Sequence, residues 1–365
     1  MKINNNYYHT IWVDKTDSKK IQIIDQRSLP FEFKIKDLRT IKETYIAIKD
    51  MWVRGAPLIG VTAAYGIYLG LLSIENSKNL DQKIKELGEY LESSRPTAIN
   101  LKYAIDLVLG KIQSSDSLEE KINIAFDTAN QLKATEIENC RLIGVNGFPL
   151  IEKISKAKKG AVVNILTHCN AGWLACIDHG TATAPIYFAH EKGVKIHVWV
   201  DETRPRNQGA RLTAFELEQQ GVPHTVIADN TGGLLMQKGM VDLVIVGSDR
   251  TSVNGDVANK IGTYLKALAA HDNSIPFYVA LPLSTIDWDT DDGINEIPIE
   301  QRDENEVKYV EGWHNDQMTK VRIMPEKSPV VNYAFDVTPA KYVTALITEN
   351  GVCKANKTNI ERLKI

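Results

Sequence analysis

Five short apolar runs, at residues 161–166, 194–200, 224–228, 241–246 and 276–280, alternate with helical or apolar stretches at 175–190, 210–220, 233–239 and 258–270. No other feature of the sequence constrains the fold as much. Runs that short, apolar on both faces, belong in a parallel sheet covered by helices on each side. The expected fold class is therefore α/β, with a Rossmann-like C-terminal unit and a mostly parallel sheet. No G-x-G-x-x-G follows any of the runs, which weakens the case for a dinucleotide.

Ahead of these runs the rhythm is different. Residues 11–13 and 20–24 read as short strands around a polar turn at 14–19. From residue 36 to 147 the spacing is helical. Ile41, Tyr45, Ile48 and Met51 fall on one stripe, and 80–91, 98–112 and 118–142 continue the pattern. A short basic stretch at 151–160, IEKISKAKKG, marks the joint. The division expected is a helical N-terminal domain with a small β start, 1–150, and a Rossmann-like domain, 151–365. Residues 287–320, polar and rich in Asp and Glu, read as a long excursion or flap.

Composition removes several function classes. Lys and Arg number 43 against 46 Asp and Glu, a net charge of −3, which argues against a surface built to hold nucleic acid. Residues 57–72 are apolar on all sides but short of the ~18–20 residues of a membrane span. With Gly66 and Gly70 four apart, they predict a buried core helix. The start, MKINNNYYHTIWVDK, lacks the apolar core of a signal peptide. Four cysteines, at 140, 169, 176 and 353, are no disulfide framework. A cytoplasmic protein is expected.

In an open parallel sheet, ligands gather beyond the carboxyl ends of the strands. There the sequence places Thr167-His168-Cys169-Asn170-Ala171-Gly172, the charged loop 201–209, and Gly247-Ser248-Asp249-Arg250 followed by Asn254 to Lys260. Cys169 is either a reactive thiol or a buried inert one. Asp249 is placed to move a proton. Asp256 reads as the cap of a following helix. In the helical part, Arg54-Gly55-Ala56-Pro57 and Arg95-Pro96-Thr97 each put an arginine ahead of a proline and a helix. That arrangement suits a phosphate, because charge, forked donors and free amides converge. His168, Cys169, Cys176 and His179 are residue types that zinc uses, with Cys176 and His179 on one predicted helix face. Their spacing matches no usual structural site, so no metal is expected. Ser284 and Thr285 could contact a ligand.

Taken together, VRGAPLIGVTAAYG, SRPTAINLKYA, LTHCNAGWLA, DETRPRNQGARLTAFEL and GSDRTSVNGDVANKIGTY resemble the methylthioribose-1-phosphate isomerases, relatives of the regulatory subunits of translation initiation factor 2B. The resemblance runs from the first strands to FDVTPAKYVTALITENG. It implies an aldose–ketose isomerase without a cofactor, a homodimer, taking 5-methylthioribose 1-phosphate to 5-methylthioribulose 1-phosphate in methionine salvage. It places the catalytic pair on Cys169 and Asp249. Substrate contacts fall on Arg54, Gly55, Ala56, Arg95, Gln208, Asn259 and Lys260. Trp173, Cys176, Arg206 and Tyr333 depart from the family pattern. They leave the isomerase of another 5-substituted pentose 1-phosphate, such as 5-deoxyribose 1-phosphate, as an alternative. A non-catalytic sugar-phosphate sensor, like the initiation-factor subunits, is the alternative of another class.

A phosphate on C1 removes the free anomeric hydroxyl through which an aldose normally opens. Asp249 is therefore expected to protonate the ring oxygen from a water-poor pocket that favours its neutral form. Cys169 is expected to help move hydrogen between C2 and C1.

Overall fold

The computed structural model describes residues 1–75, 79–95 and 98–364. Two short strands, β1 (Lys2–Ile3) and β2 (Asn6–Tyr7), precede an antiparallel sheet of β3 (Ile11–Val13), β4 (Ile21–Ile24) and β5 (Ile35–Leu38). The expected strand pair gains β5 as a third member, and helix begins at Ile41 rather than at residue 36. A capping box fixes that start: the Thr40 hydroxyl accepts from Glu43 N–H, and the Glu43 carboxylate accepts from Thr40 N–H. The helix, α1 (Ile41–Lys49), ends before Met51, whose φ of +58° leaves the stripe.

α2 (Ala56–Leu71) is buried along its whole length, as residues 57–72 predicted. α3 (Leu80–Glu92), α4 (Ile99–Ile112) and α5 (Leu118–Ala157) pack against it. Gly66 permits the close approach, since a Cβ there would stand 2.7 Å from Thr44 Cγ2 and 2.9 Å from Leu91 Cδ1. Among the described residues no helix is long and apolar enough to cross a membrane.

Next come β6 (Val163–Thr167), α6 (Ala184–Glu191), β7 (Ile196–Asp201), α7 (Ala214–Gln219), β8 (His224–Ile227), α8 (Thr231–Gln237) and β9 (Leu243–Val246). A second run follows: β10 (Arg250–Ser252), β11 (Val257–Lys260), α9 (Thr263–Asp272), β12 (Phe277–Ala280) and β13 (Ile286–Asp287). The chain closes with α10 (Gly293–Glu296), α11 (Asn305–Lys308), β14 (Tyr309–His314), β15 (Gln317–Arg322), β16 (Phe335–Thr338), β17 (Ala345–Thr348), β18 (Gly351–Cys353) and α12 (Lys357–Glu361).

The five apolar runs are β6, β7, β8, β9 and β12. They lie in one seven-stranded sheet of order β18-β17-β12-β9-β6-β7-β8, parallel except at β17–β18. At the centre of the sheet both faces are covered. Leu243 and Ile245 enter the core that contains Ile186 of α6, while Val244 and Val246 enter the one containing Leu235 of α8 and Ala267 of α9. Alternate residues of one strand thus serve two cores. α5 spans 40 residues and passes through residue 150, packing on α2 and α4 at one end and on α6 and β17 at the other.

Three sequence expectations need correction. Residues 175–190 are helical only from Ala184; a 3₁₀ turn (Trp173–Ala175) and irregular chain come first. Residues 258–260 are strand, and the helix starts at Thr263. Within 287–320 the chain is not irregular throughout, since β14 and β15 form a hairpin. This excursion lies over the 204–211 loop, tied by Arg206–Glu306 at 3.3 Å and Arg211–Glu311 at 3.3 Å.

Candidate active site

From the neighbours β6 and β9 the sheet grows in opposite directions, to β7 and β8 on one side and to β12 and β17 on the other. The crevice outside the carboxyl ends of such a pair is where open α/β sheets bind ligands. Those two ends carry Cys169 and Asp249.

Cys169 sits in a left-handed conformation, φ +66°, and is buried. Its N–H donates to Thr203 Oγ1 at 2.8 Å, and its carbonyl accepts from Thr213 Oγ1 at 2.6 Å. Its thiol donates to Gln208 Oε1 at 3.2 Å. Burial pushes the thiol pKa up, with Arg54 and Lys260 pulling the other way. Asp249, half-buried, follows β9, and its N–H donates to Ala258 O of β11 at 3.0 Å. Lys260 is buried at the end of β11, its Nζ 4.8 Å from the Phe335 ring centre. Burial lowers its pKa, opposed by Cys169 and Asp249.

The helical unit supplies the facing wall. Arg54 donates from Nη1 to Asn170 Oδ1 at 2.5 Å and from Nη2 to Asn170 O at 2.7 Å. Gly55 precedes α2 with φ +92°, and a Cβ there would lie 2.3 Å from Ala175 O, so only glycine fits. No side chain caps α2, which leaves the first-turn amides beside Gly55 and Ala56 open to an anion. Arg95 is buried, its Nη2 reaching Glu300 Oε2 at 3.4 Å and its Nε without a partner among the described residues. Burial lowers the Arg95 pKa, while Glu300 and Asp249 raise it. Ala56, Ile59, Ala98, Ile297, Pro298 and Phe335 make an apolar cleft that also borders Arg95 and Asp249. Pro96 and Thr97 of the second arginine–proline element lie outside the described residues.

The fold thus gathers Cys169, Asp249, Arg54, Gly55, Ala56, Arg95, Gln208 and Lys260 around one crevice. Asn259 alternates with Lys260 on β11, and its amide donates to Thr263 Oγ1 at 3.0 Å. Asp256 is not a helix cap, because β11 follows it. Its carboxylate accepts from Asn254 Nδ2 at 2.8 Å, Gly293 N at 3.2 Å and Ala340 N at 2.8 Å. Ser284 and Thr285 face α4 and α5 instead, through Asn100 and Glu136.

The four residues weighed for zinc are separately engaged. His168 meets Asp201 and Ile261 O, Cys176 packs against Cys140, and no helix joins Cys176 to His179. His168, Asp201 and Asp229 cluster, but the Lys266 ammonium already stands 3.2 Å from Asp201 Oδ2 and donates to Asp229 O. The departures from the family pattern sit apart from one another. Trp173 is wholly buried in the core, Arg206 pairs with Glu306, and Tyr333 is exposed.

Sequence reasoning missed the groups behind the crevice. Glu216 is fully buried and accepts from Trp173 N–H at 3.1 Å, Leu174 N–H at 2.8 Å, Tyr187 OH at 2.9 Å and Asn170 Nδ2 at 3.0 Å. Burial pushes its pKa up to about 6. It holds Asn170, which holds Arg54. A lone acid in the apolar run AFEL was the available signal. Glu300, Arg302 and Glu306 form an ionic chain from Arg95 to Arg206, and nothing local announced it.

Comparison with known proteins follows the same lines. The Initiation factor 2 subunit family matches residues 52–355. The methylthioribose-1-phosphate isomerase of Desulfatibacillum aliphaticivorans is 56% identical over 363 residues, covering 100% of this chain and 98% of the relative. The crystal structure of 5-methylthioribose 1-phosphate isomerase from Pyrococcus horikoshii is 37% identical, with a TM-score of 0.83 over 98% of this chain and 96% of that one. The structure of translation initiation factor eIF-2B subunit delta from A. fulgidus is also 37% identical, with a TM-score of 0.78 over 98% and 100%.

Proposed function

The chain belongs to the Initiation factor 2 subunit family and, within it, to the methylthioribose-1-phosphate isomerases, and on that premise we propose that it converts 5-methylthioribose 1-phosphate to the 1-phosphoketose in methionine salvage. The observation that carries the reading is the meeting of Cys169 and Asp249 at the switch point of the sheet, faced by buried Arg54, Arg95 and Lys260. Phosphate dianion suits those cations and the open amides of α2. The apolar cleft beside Asp249 suits a methylthio tail at the far end of the sugar.

In this reading Asp249 gives its proton to the ring oxygen as the C1–O bond breaks. Hydrogen then passes from C2 to C1 beside the Cys169 thiol, and the C2 hydroxyl loses the proton that balances the first step. Gln208 orients the thiol. Arg54, Gly55, Ala56, Arg95, Asn259 and Lys260 hold the phosphate and sugar oxygens. The two units, 1–150 and 151–365, close on the sugar and exclude water. The enzyme works in the cytoplasm as a homodimer. Exposed Leu234 and Leu265, on the adjoining helices α8 and α9, offer apolar surface for the pairing.

The test is turnover of 5-methylthioribose 1-phosphate, 5-deoxyribose 1-phosphate and ribose 1-phosphate, followed by NMR. The methylthio sugar should react fastest. Cys169→Ala and Asp249→Asn should each lower kcat by roughly 10²–10⁴-fold with an unchanged circular dichroism spectrum. Deuterium from solvent at C1 of the product marks a proton route, and its absence a direct shift. No turnover of any sugar would turn the assignment toward a regulatory protein.

A further inference from the structure

His168 precedes Cys169, is 1% exposed, and uses both ring nitrogens. Nδ1 stands 2.9 Å from Asp201 Oδ2 at the end of β7, and Nε2 stands 2.8 Å from Ile261 O, one residue past Lys260. Each nitrogen thus lies within hydrogen-bond distance of an oxygen from a different segment. Lys266 Nζ, 3.2 Å from the same Asp201 oxygen, completes the cluster.

Three separate pieces of chain meet at this one ring. β6 leads into Cys169, β7 leads into Thr203, whose hydroxyl receives the Cys169 N–H, and β11 leads into Ile261 directly after Lys260. Thr203 Oγ1 in turn donates to Asp201 O at 3.0 Å, which closes the loop back to the partner of His168. Among the described residues no other side-chain hydrogen bond joins the cysteine-bearing end of β6 to the lysine-bearing end of β11.

We propose that His168 is a positioning residue that fixes the Cys169 strand end against the Lys260 strand end through Ile261, with Asp201 orienting the ring, and that it touches no substrate. The proposal rests on the isomerase reading for its kinetic consequence, though the clamp itself does not depend on the sugar. A chemical distinction makes it testable. An asparagine amide occupies roughly the place of Nδ1, and a glutamine amide that of Nε2. His168→Asn keeps the Asp201 contact and gives up Ile261, whereas His168→Gln keeps Ile261 and gives up Asp201.

The wild type is assayed first with 5-methylthioribose 1-phosphate, and its failure to turn over would count against the isomerase reading alone. In the working enzyme, His168→Asn should lose about 10²-fold in kcat, the scale of a misplacement near 1 Å, while His168→Gln stays within about threefold. Melting temperatures of the two variants should not follow that order. Peptide-resolved alkylation of Cys169 should change in His168→Asn and not in His168→Gln. A fully active His168→Asn, an unchanged Cys169 alkylation rate in that variant, or equal losses that track melting temperature would overturn the clamp.

Discussion

Replacing Glu136 by Gln should give a stability advantage over the wild type that grows as pH rises from 4.5 to about 7 and levels off above that. Glu136 projects from α5 toward the loop after β12, where Ser284 Oγ donates to its Oε1 at 2.8 Å and Asn100 Nδ2 donates to Ser284 Oγ at 3.1 Å. Burial pushes its pKa from 4.5 to about 7, helped by Glu349 and opposed by Ser284 and Asn139. The folded state therefore holds a proton between those values that the unfolded chain releases. Stability is fully present below the unfolded value and falls as pH rises through the folded one. A shift of that size corresponds to roughly 3 kcal/mol at 1.36 kcal/mol per unit. Gln keeps an acceptor for Ser284 and removes the titration. Any cost of its new amide group is the same at every pH, so the pH-dependent part isolates the carboxyl. Thermal and urea unfolding from pH 5 to 8.5 should show the variant gaining about 3 kcal/mol on wild type across the range, or about 4 °C for a chain of this length. A difference that stays constant with pH would refute the argument.

Two further outcomes follow from the crevice. Gly55→Ala places a Cβ 2.3 Å from Ala175 O at φ +92°; it should cost roughly 2–4 kcal/mol from strain and overpacking and lower turnover by displacing Arg54, read by melting and kinetics together. Cys169, with its thiol pKa raised by burial, should react with iodoacetamide more slowly at pH 7 than a free thiol and faster as pH climbs through the alkaline range. Peptide mass spectrometry measures that rate, and a Cys169 that outpaces a free thiol at pH 7 would contradict the environment described.

The centre of the β-sheet was legible because burial on both faces marks every residue of β9: LVIV divides between two cores and can spare no polar position. The carboxyl-end rule then led to Cys169 and Asp249 without any partner being known. Residues 258–260 misled because VANK carries neither clear periodicity. Their strand state is imposed by pairing with β10 and with β16, the latter more than seventy positions away. Asp256 misled for a related reason. Asn-Gly-Asp ahead of an apolar stretch has the local look of a cap, yet its acceptors satisfy Gly293 and Ala340 across a turn. Glu216, His168 and Glu300 escaped because their roles reside in contacts with residues tens to hundreds of positions distant, and local spacing holds no trace of them.

The fold by itself does not separate an isomerase from an initiation-factor subunit, since solved examples of both superpose on this chain at the same identity. The separation lies in what the crevice costs to maintain. Arg95 and Lys260 are buried deeply enough to lower their pKa values, and among the described residues the Arg95 Nε has no partner. Cations held out of water in this way destabilise a fold that gains nothing from them. Glu216, itself buried at a penalty, is spent on holding Asn170 and through it Arg54. An anion entering between Arg54, Arg95 and Lys260 would offset those penalties together. In the proposed reading, phosphate on a sugar would do so while leaving the ring beside Asp249 and Cys169. A regulatory protein could use the same cations to sense a phosphate, but it would have no use for a cysteine whose backbone is pinned by Thr203 and Thr213 and whose thiol meets Gln208 at the end of β6. The isomerase reading accounts for both the cations and the thiol with one ligand.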